Sequence, residues 1–163
     1  MVGAVRKPVE RAIDVVSSEQ SLDPYLARFR GSFTSALRWQ QLDALWESIR
    51  QAPDGWFVYA VGETPPSAPA SDETVLAFID EIDALLRREH DEDYCGIVYA
   101  DDVASPSMVK IYDPNNLGVS CGYSDNPPLP GWVLSRLIPV DLQAMRPPAG
   151  RRRWWQRLFP QKA

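Results

Sequence analysis

The sequence predicts an α+β fold: an antiparallel, meander-like sheet of four or five strands with two or three helices packed on one face. Two helical apolar stripes separated by an aromatic strand, then a succession of short β-like runs cut by turn residues, point to that class. The 163 residues, 45% of them hydrophobic, suffice for one ordinary core.

The elements follow in order. Residues 1–20 carry no clear pattern. Asp23 and Pro24 predict a short helix reaching Arg30, with Asp23 as N-cap and Pro24 at the first helical position. Gly31 ends it. Leu42, Leu45, Trp46 and Ile49 recur at helical spacing, preceded by Leu37 and Arg38. They predict an amphipathic helix from about Thr34 to Arg50, stopped by Pro53, Asp54 and Gly55.

Trp56 to Val61 is a strand between Gly55 and Gly62, and the prolines at 65, 66 and 69 mark a connector. A second long helix starts at Ser71 or Asp72 and runs to His90, with Val75, Ile79, Ile82 and Leu86 as its stripe. Acids crowd its start and Arg87 and Arg88 its end, as the helix dipole prefers. Strands are predicted at Tyr94 to Ala100, Ser107 to Tyr112, Val119 to Tyr123 and Trp132 to Leu137. Turns fall at Asp101 to Pro106, Asp113 to Gly118 and Asn126 to Gly131.

Charge divides the chain. Residues 151–163 carry five bases and no acid, whereas residues 1–150 hold 12 bases against 22 acids. Between Asp72 and Asp102 eleven acids face only Arg87 and Arg88. The division predicts one acidic domain over residues 1–146, then a Pro/Gly linker and a basic, Trp-rich tail over 147–163. A body of −10 opposes nucleic acid as a partner. No apolar run approaches the roughly 20 residues of a membrane helix, the first residues lack an export pattern, and only Cys95 and Cys121 are present. These features predict a cytoplasmic protein that meets membranes, if at all, peripherally through its tail.

Three patterns could carry chemistry. The run from Asp91 to Asp102 partly matches a calcium loop, with acids at its first, third and twelfth positions and Gly96 at the sixth. Cys95 stands where an oxygen is wanted, however, and no exit helix follows. A solvated acidic turn is the simpler reading. Cys95 and Cys121 could serve a thiol enzyme only with His90, the single histidine, as base and an acid such as Asp93 or Asp113 as orienter. Cysteines in strands more simply act as small core residues. Asp101, Asp102 and Asp113 flank one hairpin, but adjacent turn acids are commonplace. No phosphate loop, dinucleotide fingerprint or zinc spacing occurs, and no cofactor is expected.

The tail carries the strongest functional signal. As a helix it would put Trp154, Trp155, Leu158 and Phe159 on one side and Arg151, Arg152 and Arg153 elsewhere. Such a peptide suits an anionic membrane surface, a groove on a partner protein, or the acidic face of its own domain. It is expected to dock from outside the core. The reading is therefore a non-catalytic, bacterial-type accessory or interaction protein. Its acidic helix face, with Asp80 and Asp83, receives a protein partner, and its tail docks elsewhere. The competing class is a small thiol- or metal-dependent enzyme built on Cys95, Asp101, Asp113 and Cys121. Convergence of His90 with a cysteine, or of three carboxylates, would favour the enzyme.

Overall fold

A computed structural model describes residues 23–117, 129–142, 154–155 and 157–159. It holds helices α1 (Pro24–Phe29), α2 (Trp39–Gln51) and α3 (Asp72–Glu89) and strands β1 (Thr34–Ser35), β2 (Phe57–Ala60), β3 (Val98–Ala100), β4 (Met108–Ile111) and β5 (Trp132–Ser135). The five strands form one antiparallel sheet in the order β1-β3-β4-β5-β2. The middle three are a meander. The chain leaves the β1 edge, crosses through α2 to β2 at the far edge, and returns through α3 to β3.

Local chemistry explains the helix boundaries. Asp23 accepts from the Leu26 N–H at 3.1 Å and caps α1. Ser71 accepts from the Thr74 N–H at 3.2 Å and caps α3, and both serve otherwise unpaired first-turn donors. The second helix starts later than its periodicity suggests. Residues 34–37 instead run along β3: Ala36 N–H donates to Val98 O, while Gly96 and Cys95 N–H donate to Ala36 O and Leu37 O. Sheet pairing satisfies these backbone groups, and Arg38, in extended geometry, becomes the N-cap residue of α2.

Helices α2 and α3 share one face of the sheet. Leu42, Leu45, Trp46 and Ile49 of α2 join Val75, Phe78, Ile79, Ile82, Leu85 and Leu86 of α3. Together they cover Val58, Ala60, Val98, Ala100, Val109, Ile111 and Leu134. The short α1 covers the other face, where Tyr25 meets Tyr59, Val61, Met108 and Val133. With both faces covered, β2 and β5 are buried at every position, which is why they read as continuous apolar runs.

Polar groups fasten the frame. Lys110 of β4 donates to Phe29 O, the last residue of α1, at 2.6 Å and lies between the Phe29 and Phe33 rings. It thereby ties a helix C-terminus to the sheet, where a cation is favoured. Arg136 donates to Asp54 O and Ala52 O and lies over Trp56, closing the turn after α2. Asp101 gathers the β3–β4 turn. Its carboxylate accepts from the Ser107 N–H, the Met108 N–H and the Ser107 hydroxyl, and pairs with Arg28 of α1 at 3.0 Å. The proposed strand from Val119 to Tyr123 lies outside the described residues.

Candidate functional site

The described part of the basic tail rests on its own domain. Trp154 and Trp155, each 7% exposed, belong to the core cluster that α2, α3 and the sheet build. Trp154 lies 5.9 Å from the Phe78 ring and 5.7 Å edge-on from Trp132, and its indole N–H donates to Glu81 at 3.2 Å. Trp155 stacks on Phe159 at 4.3 Å, one helical turn on, where Phe159 N–H donates to Trp155 O. Leu158 and Phe159 are partly buried against the same cluster.

This corrects the expectation of a peptide outside the core. Phe78 and Trp132 offer ring faces and edges that an indole fills better than water does. Glu81, beside them, accepts the indole proton that burial would otherwise strand. Trp132, at the start of β5, is itself buried here at 3% exposure. Arg151, Arg152 and Arg153 lie outside the described residues, while Arg157 is exposed.

The two acids assigned to partner binding on α3 already have partners within the chain. Asp80 pairs with Arg50 of α2 at 2.7 Å. Asp83 accepts from Arg87 and from the Trp46 indole, and Arg87 reaches on to Asp43 at 2.6 Å. These bonds stitch α2 to α3. Asp80 keeps 72% of its side chain exposed, so solvent screening leaves that pair weak.

Among the described residues, those of the thiol and carboxylate readings do not converge. His90 uses its ring Nε2 on Cys95 O at 2.8 Å, a backbone contact that leaves the thiol aside. Cys95 is fully buried, and burial pushes its thiol up from the ordinary value. Asp101 serves its turn. Burial would raise its carboxyl, but the Ser107 hydroxyl and the N–H groups of Ser107, Met108 and Asp102 outweigh that and hold it below the usual range. Asp113 is 5% exposed and accepts from the Asn115 N–H at 2.9 Å in a short 3-10 turn. In the calcium-like run, Asp102 caps the turn through the Ala104 and Ser105 N–H groups, and the chain proceeds into β4 rather than a helix. Among the described residues no three His, Cys, Asp or Glu side chains gather as a metal site. Cys121 lies outside them.

One surface feature escaped the sequence reading. Leu37 and Tyr94, 54% and 52% exposed, flank an open cleft of about 500 Å³ completed by Arg38, Gln40 and Asp93. Leu37 counted toward a helix stripe and Tyr94 toward a strand, so neither drew notice as surface. The one local signal was Gly96, whose φ of +71° marks a forced turn.

No family model, curated protein or solved structure matches this chain. Among the described residues no helix is long and apolar enough to cross a membrane.

Proposed function

We propose that this protein is a non-catalytic interaction module whose acidic helix α3 receives basic, aromatic segments. Its own C-terminal segment is the resident example, and a partner protein presenting a similar segment is the binding target. The observation that carries this reading is the seat of Trp154: a tryptophan flanked by arginines, held between Phe78 and Trp132 with its N–H on an exposed carboxylate of the acidic helix. Aromatic side chains in such seats contribute most of the binding free energy in protein interfaces, and nearby opposite charges speed encounter. The engagement of His90, Cys95, Asp101 and Asp113 in local structure supports a binding role over a catalytic one.

A synthetic peptide of residues 151–163 tests the reading when added to the full-length chain carrying Trp154→Ala and Trp155→Ala. Isothermal titration in the cold, where the variant stays folded, should detect binding that persists partly at high salt, because indole burial is unscreened. The native chain should bind more weakly, since its own segment competes. A peptide with both tryptophans replaced by alanine that binds as well as the native peptide would refute the proposal.

A further inference from the structure

The Leu37–Tyr94 cleft shares no residue with the seat of Trp154 and is built to a different plan. Gly96 lies next to both of its apolar side chains. A Cβ there would come within 3.2 Å of Tyr94 Cδ2 and 4.0 Å of Leu37 Cδ1, and the φ of +71° favours glycine at this turn beside the two exposed side chains. Backbone bonds join the walls. Cys95 N–H donates to Leu37 O at 2.8 Å and Gly96 N–H to Ala36 O at 3.1 Å, binding the two walls together.

Behind them a stack of rings holds Tyr94 in place. Tyr94 meets His90 edge-on at 6.4 Å, His90 meets Trp39 at 6.3 Å, and Arg87 lies over Trp39. His90 is anchored on Cys95 O, and Trp39 donates its indole proton to Glu92 O. Two large side chains thus stand half exposed side by side, Tyr94 braced by the rings behind it. Such fixed anchors lose little conformational entropy when a ligand covers them.

Charge selects the occupant. Asp91, Glu92 and Asp93 are exposed beside Tyr94, and no hydrogen bond or ion pair holds their carboxylates among the described residues. Among the described residues Arg38 and Asp93 are the charged groups lining the cleft, and Asp91 and Glu92 add two exposed negative charges beside it. The acids of α3 proper differ, being tied to Arg50 and Arg87. We propose that the cleft between Leu37 and Tyr94 binds a short extended segment of a partner protein that places a bulky apolar residue next to a lysine or arginine. The apolar residue covers Leu37 and Tyr94, and the cation lies against the acids at 91–93. This inference rests on the interaction reading but not on the tail.

Synthetic hexapeptides of alternating lysine and leucine, glutamate and leucine, or lysine and serine serve as probes, titrated into the isotopically labelled full-length chain and followed by amide chemical shifts. The lysine–leucine peptide should shift amides within 36–40 and 91–96, and the other two should bind at least about tenfold more weakly. Tyr94→Ala and Asp93→Lys should each weaken binding by about tenfold or more with an unchanged melting temperature, since both side chains are exposed. Trp154→Ala with Trp155→Ala should leave it unaltered, which separates this site from the tail's seat. Equal binding of the glutamate–leucine peptide, shifts centred on Phe78 and Trp132, or undiminished binding by Tyr94→Ala would overturn the proposal. Concentration-dependent shifts of the same amides without peptide would also overturn it, because a second copy would then be the occupant.

Discussion

Trp154→Ala asks whether the C-terminal segment is part of the stable fold or a loose appendage. The side chain is 7% exposed and meets three aromatic rings, those of Phe78, Trp132 and Trp155. Truncating a buried tryptophan costs about 3–5 kcal/mol, which already includes the lost ring contacts. The bond to Glu81 adds little, because that exposed carboxylate returns to water. For a chain of this size each kcal/mol corresponds to roughly 2–4 °C, so the melting temperature should fall by roughly 6–20 °C. Thermal and urea denaturation followed by circular dichroism would measure both quantities. The same figure sets a threshold for function: a seat worth 3–5 kcal/mol holds open forms to roughly one part in 10² to 10⁴, which a competing partner segment must overcome. A fall below about 2 °C would refute the reasoning, because a side chain fixed in a core cannot be removed so cheaply.

The remaining predictions concern the domain itself. Ile82→Ala, at a fully buried position between α3 and the sheet, should cost about 2–5 kcal/mol in urea unfolding; a loss below about 1 kcal/mol would contradict its place in the core. Asp101→Asn should destabilise by about 1.5–3 kcal/mol at neutral pH, because a charged acceptor of three donors is lost. Since folding depresses the Asp101 pKa, its contribution is complete above the unfolded value near 3.8 and is lost as pH falls through the folded one. The gap between native chain and variant should therefore close in acid, and a gap that widened there would show the sign to be wrong. Cys95, fully buried with its thiol pushed up by burial, should resist thiol reagents at neutral pH until the chain unfolds; rapid labelling of that residue in the folded protein, located by peptide mapping, would revive thiol chemistry.

What the sequence made legible was local. Asp23 with Pro24, and Ser71 before an acid-rich turn, mark helix starts because capping is decided by neighbours in the chain. The stripe of Val75, Ile79, Ile82 and Leu86 identifies the face of α3 that is buried. Thr34 and Ser35 were misread because a two-residue edge strand has no period of its own, and its pairing with Tyr99 and Ala100 is a distant event. The placement of α1 on the second sheet face depends on the same kind of contact, through Tyr25 and Lys110. Trp154 looked like surface chemistry because arginines surround it, and charge pattern says nothing about which apolar gap an indole fills. The Leu37–Tyr94 cleft was invisible for a related reason. It joins the end of β1 to the exit of α3, two segments that meet only when the sheet forms.

The order of strands also shapes how the chain assembles. The inner pairs β3–β4 and β4–β5 join neighbouring stretches, with Val98 opposite Ile111 and Ile111 opposite Trp132. The outer pairs are remote, Thr34 opposite Ala100 and Phe57 opposite Ser135. Closing a long loop forfeits more chain freedom than closing a short one, and distant pairings slow the search for the native state. A route that starts from the meander therefore meets its entropic barrier at the two margins, with α2 strung between those margins and α3 leading from β2 back to the meander. Docking α2 and α3 on the meander draws β1 and β2 to opposite sides of it, so one packing event supplies the proximity that both outer ladders need.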